Sequence, residues 1–143
     1  MMRPQSIIRF EQFYVASIVL GLLNTAINFS RFSGQMSTTG VPMTFMLVAM
    51  AIGLLINVLF LFFIARRASN IARWIFVAIS ALGLVGLLSW PKILATYGPA
   101  YFAVSVLATL LNYTAVAFLF RRDAVRWLRS KGQDGPVNTT IFE

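Results

Sequence analysis

Residues 41–65 read VPMTFMLVAMAIGLLINVLFLFFIA, twenty-five positions without Asp, Glu, Lys, Arg or His. As a helix rising 1.5 Å per residue this stretch is roughly 37 Å long, more than the hydrocarbon core of about 30 Å. Three further stretches share the property: 12–30, 74–91 and 93–120. Each is dense in Leu, Ile, Val, Phe and Ala. The sequence therefore predicts four membrane-crossing helices, at about residues 13–29, 43–65, 74–90 and 101–120. The expected fold class is all-α, an integral membrane four-helix bundle.

Composition points the same way. Of 143 residues, 59% are hydrophobic and 11% charged, with mean hydropathy +0.80, whereas a soluble domain carries roughly 25% charged residues. Four spans and their connections account for residues 1–131, read as one domain ending in a basic interfacial helix. Residues 132–143, with Gly132, Gly135 and Pro136, are expected to form a disordered cytoplasmic tail.

Cysteine and histidine are absent. Disulfides, thiolate ligands and thiol redox chemistry are thereby excluded, and the commonest metal ligand and neutral-pH general base are missing. Ser17, Ser80, Ser89 and Ser105 have no His or Lys within a span to activate them as nucleophiles. No acid occupies the depth that a proton relay requires. Glu11, beside Arg9, reads as a surface ion pair or a helix N-terminal charge. No phosphate-binding glycine loop or zinc-ligand spacing occurs. The expectation is a non-enzyme without cofactor or metal.

Net charge is +8, and every basic residue abuts the end of an apolar run. Arg3, Arg9, Arg66, Arg67, Arg73, Arg121, Arg122, Arg126, Arg129 and Lys131 alternate onto one face; only Arg31 and Lys92 fall on the other. Short positive loops stay in the cytoplasm, so both termini are expected there. A bacterial inner membrane is the expected location, the excess of Arg over Lys fitting a GC-rich genome. The dispersed basic residues form no groove for a nucleic-acid strand. Phe10, Phe13, Tyr14 and Trp74 are expected at the inner interface, and Trp90, Tyr97 and Tyr101 at the outer. The first span follows a basic start but lacks a small-x-small cleavage pattern, so it is expected to be retained. Asn138-Thr139-Thr140 has the form of a glycosylation acceptor, inert on the cytoplasmic side.

The two hairpins align without gaps. Val15, Ala16, Leu20, Gly21 and Leu22 fall on Val77, Ala78, Leu82, Gly83 and Leu84. Leu55, Asn57, Phe63, Arg66 and Arg67 fall on Leu110, Asn112, Phe118, Arg121 and Arg122, and Ala72-Arg73-Trp74 resembles Val125-Arg126-Trp127. Such hairpins would be parallel repeats related by rotation about the membrane normal. Asn57 and Asn112 would then lie at equal depth, roughly 13 Å inside their Arg pairs. Amides at that depth are expected to point inward and bond across helices, as structural glue or beside a solute path.

Small residues recur at packing intervals: Ser17, Gly21 and Thr25; Ala49, Gly53 and Asn57; Gly83 and Gly86. They are expected to admit a neighbouring backbone, within the chain or from a second molecule. Arg66, Arg67, Arg121, Arg122, Arg126, Trp127 and Arg129 are expected to contact anionic lipids or a partner. The expected function is that of an accessory, assembly or scaffolding subunit in a membrane complex, with a protein partner or a homo-oligomer. The alternatives are an oligomeric channel or carrier for a neutral or lipophilic solute, or a lipid- or quinone-binding protein.

Overall fold

All four apolar runs are helical in the structure, a computed structural model that describes residues 3–40 and 42–131, with side chains at 35–39 excepted. Helix α1 is Gln5–Ile27, α2 Phe29–Thr39, α3 Met43–Ala65, α4 Asn70–Gly83, α5 Trp90–Tyr97, α6 Pro99–Phe118 and α7 Arg122–Arg129. A 3-10 segment, Leu84–Ser89, joins α4 to α5, and no strand occurs among the described residues. α1, α3, the continuous rod Asn70–Tyr97 and α6 are each long and apolar enough to cross a membrane. The chain is a multi-pass membrane protein. The expected tail at 132–143 and the Asn138 motif lie outside the described residues.

Local chemistry explains the boundaries. Gly40, at φ 71°, closes α2 in the left-handed region. Pro42, whose fixed φ suits a helix start, then precedes α3. Ser69 caps α4, its Oγ accepting from the Ala72 N–H at 3.2 Å. Gly98, at φ 86° and ψ 172°, turns α5 into α6 within one residue, a conformation essentially reserved for glycine.

Three expected boundaries need correction. α1 starts eight residues before the expected position 13. Arg9 is exposed and Glu11 half-buried in its pairing with Arg66, while Ile7, Phe10, Tyr14, Ser17 and Asn24 are buried at helical spacing. The polar stretch expected as a connection after the first span contains α2. The third span does not end at Trp90, because Pro91 does not break it. Proline has no N–H for the Leu87 carbonyl, and the Trp90 N–H takes that carbonyl instead, one residue tighter. The rod overwinds into 3-10 form before Pro91, which then occupies the start of α5.

α1 packs along α6 more extensively than any other pair, and it also touches α3 and α7. The contact between α3 and α4 is much smaller. At one end the starts of α1 and α4, the ends of α3 and α6, and α7 share a buried cluster: Ile7, Phe10, Tyr14, Ile64, Ala65, Phe76, Leu119, Ala124, Trp127 and Leu128. Phe10 stacks on Tyr14 at 5.5 Å, and both meet Phe76 edge-on at 5.9 and 4.9 Å. Phe10 and Tyr14 are thus buried in this cluster. At the other end, Arg31 Nη1 donates to the Tyr97 carbonyl at 2.9 Å, satisfying the last turn of α5.

Candidate functional site

The repeating buried stripe on α1 forms one wall of a cavity of about 670 Å³. Tyr14, Ser17, Gly21 and Thr25 come from α1, Asn57 and Phe60 from α3, and Phe76, Ser80 and Gly83 from α4. Gly86 and Leu87 come from the 3-10 segment, and Thr109, Asn112 and Tyr113 from α6. The exposed side chains of Leu22, Leu54, Ile56 and Ile79 also border it, so the cavity opens on the outer surface of the spans.

Its polar groups are mostly paired. Tyr14 Oη donates to Asn57 Oδ1 at 2.6 Å, and Asn57 Nδ2 donates back to the Gly53 carbonyl at 2.7 Å. Ser17 Oγ donates to the Tyr14 carbonyl at 2.8 Å, and Thr25 Oγ1 to the Gly21 carbonyl at 2.9 Å. Tyr113 Oη donates to the Ser80 carbonyl at 2.8 Å. Asn112 is the exception: it lines the cavity, and among the described residues its amide makes no hydrogen bond. Tyr14, the hydroxyl partner of Asn57, aligns in sequence with Phe76, which has no hydroxyl. Asn57 and Asn112 share the cavity but do not bond to each other.

The interhelical amide that sequence reasoning missed is Asn24. It is buried on α1, and its Nδ2 donates to the Tyr101 carbonyl and to Ser105 Oγ on α6, both at 3.1 Å. Its place on the stripe Ile7, Phe10, Tyr14, Ser17, Gly21 and Asn24 is the signal that could have found it.

The small residues differ in what approaches them. A Cβ built on Gly83 would stand 3.5 Å from Tyr113 Oη. At Gly21, Gly53 and Gly86 no atom lies within 4 Å of that point, and Ala49 is exposed. Ser17 is buried and Thr25 half-buried against the cavity.

Arg66, Arg67, Arg121, Arg122, Arg126 and Arg129 are exposed at one end of the chain. Arg67 lies over the Phe62 ring at 5.8 Å and Arg121 over Phe118 at 5.7 Å. Trp127, grouped with them in the sequence, is buried in the core cluster. Glu11 pairs with Arg3 and with Arg66, the latter at 3.3 Å. Asp123 ties α7 to the start of α1, accepting from Ser6 Oγ at 2.7 Å and Ser6 N–H at 3.2 Å. Burial pushes the Asp123 carboxyl up, but the Ser6 hydrogen bonds and nearby backbone N–H groups outweigh it and hold the carboxyl below the ordinary aspartate value.

No group of three or more acidic, His or Cys side chains that could hold a metal occurs among the described residues. Comparison with family models, curated proteins and solved structures finds no match to this chain.

Proposed function

We propose that this protein is a non-catalytic accessory or assembly subunit of a larger membrane complex. In this reading it is a four-helix bundle of two parallel hairpins in a bacterial inner membrane, with both termini and the basic end cytoplasmic. The carrying observation is the open space beside Gly21, Gly53 and Gly86. Small residues in spans let a neighbouring backbone approach closely, and no helix among the described residues comes within 4 Å of a Cβ at these positions. A partner span, from another protein or a second copy, is the natural occupant. The exposed arginines support the cytoplasmic placement, since they would hold their ends at an anionic surface.

The test is extraction in mild detergent with chemical crosslinking. The expected result is a complex of fixed stoichiometry that Gly21→Leu or Gly86→Leu dissolves without lowering the stability of the isolated chain. Wild-type protein found only as isolated monomers would sink the reading.

The unpaired Asn112 amide favours a second reading, in which the cavity holds an uncharged lipophilic molecule with a polar head. A volume of about 670 Å³ suits a ligand of that size. An organic extract of the purified protein should then contain one such lipid or quinone at stoichiometric amount, lost in Asn112→Leu. For the carrier form of this reading, solute flux into vesicles unchanged by Asn57→Leu and Asn112→Leu is the rejecting outcome.

A further inference from the structure

Arg73 is the one arginine of the basic end whose side chain is buried, at 5% exposure. Its Nε and Nη1 are enclosed and have no hydrogen-bond partner. Nη2 also lacks a hydrogen bond among the described residues yet is not enclosed, so it marks the open edge of the group. A buried guanidinium without a counter-charge is strongly unfavourable. The rings of Trp74 and Phe120, 5.0 and 5.7 Å from its centre, offset only part of that. Arg73 also stands in the first turn of α4, where the helix dipole disfavours a cation, and Arg129 repels it.

The chain offers no remedy among its described acids. Glu11 is held by Arg3 and Arg66, and Asp123 by Ser6. The hairpin alignment makes the vacancy specific. The offset that carries Val15 onto Val77 carries Glu11 onto Arg73, and the one that carries Asn57 onto Asn112 carries Arg66 onto Arg121. Where the first hairpin has a carboxylate paired with an arginine, the second has two arginines and no anion.

We infer that Arg73 is the seat for the phosphate of a negatively charged phospholipid. The Nη2 group at the open edge carries two N–H donors for phosphate oxygens, with the delocalised guanidinium charge behind it. Two exposed aromatic side chains flank the seat, Trp74 and Phe120. A free anion gains nothing from that wall, whereas a lipid lays its acyl chains along it. The exposed arginines attract anionic lipid diffusely, and Arg73 selects and holds one molecule. This deepens the proposed contact with anionic lipid at the basic end and does not depend on the accessory role.

The experiment is native mass spectrometry of the delipidated full chain titrated with dioleoylphosphatidylglycerol or dioleoylphosphatidylcholine. One phosphatidylglycerol should bind at least tenfold more tightly than phosphatidylcholine, and Arg73→Met should abolish that preference. Arg73→Lys, which keeps the charge but does not reach the Nη2 position at the open edge, should weaken binding severalfold and serves if the Met variant does not fold. Arg122→Gln and Arg126→Gln should change the tight site by less than twofold. Equal binding of the two lipids overturns the inference. So does an Arg73 series that matches wild type while the exposed-arginine variants lose binding, a result that leaves the diffuse basic end standing. Inorganic phosphate protecting the fold as well as the lipid does would overturn the amphiphile. A chain ending at Lys131 that binds lipid when the full chain does not would show an acid of residues 132–143 in the seat and also overturn it.

Discussion

Helices α1 and α3 are both 23 residues long and both able to cross a membrane, but they put their side chains to opposite use. α1 carries Ser6, Arg9, Glu11, Ser17, Asn24 and Thr25, and it buries six residues against its neighbours. α3 has only Thr44 and Asn57 as polar residues, and none of its positions between 47 and 63 is buried. The more polar helix is the inner one. In water this would be inverted; in a bilayer, apolar surface gains nothing by leaving lipid, and helices associate through close packing and polar contacts instead. α1 is organised by shape and hydrogen bonds, α3 by its solvent.

The contrast breaks most readily at its aromatic centre. Phe10→Ala, which empties the stack with Tyr14 and Phe76, should cost about 3 kcal/mol or more, whereas Leu55→Ala on the outer side of α3 should cost less than about 0.5 kcal/mol. Unfolding of both variants in mixed micelles measures the difference, and equal losses would mean that α3 is buried too. Next in size, Asn24→Leu should lower stability by about 1 kcal/mol, since it removes two hydrogen bonds between α1 and α6. Gly53→Ala on α3 sharpens the comparison in the other direction. With open space beside it, the added methyl should raise the stability of the isolated chain by about 0.5–1 kcal/mol through helix propensity. A loss would reveal a neighbour at that face.

The smallest effect should be a pH dependence where α7 meets α1. The Asp123 carboxyl is held below its ordinary value of 3.8 in the folded chain. Its contribution is therefore complete above about pH 4 and is lost as pH falls through the lower, folded value. Acid titration of α7 docking, followed by Trp127 fluorescence, should show this, and Asp123→Asn should flatten it.

How much was legible depended on whether a residue's meaning was local. α3 has the limits read for the second span, because Pro42 and Arg66 punctuate a uniform apolar run. The early start of α1 was hidden because Arg9 and Glu11 look like the end of a span, although Arg9 is exposed and Glu11 pairs with Arg66 on a helix whose other side is core. The end of the third span near residue 90 was misjudged because the compensating bond from Trp90 to Leu87 is a property of geometry, not of composition. At the cavity, an inward amide at Asn57 follows from its depth. That Tyr14 would meet it, and that Asn112 would find no such partner, required knowing which helices face each other. Arg73 looked like one more positive charge; only its surroundings distinguish it from Arg66 and Arg67.

The single-residue link at Gly98 bears on how the chain reaches its membrane. One residue extends at most about 3.5 Å, well short of the 8–10 Å that separates the axes of packed helices. The rod ending at Tyr97 and the helix beginning at Pro99 therefore have no slack to enter the bilayer one after the other. They are therefore expected to insert as one hairpin, so that a substitution that slows either of them delays both.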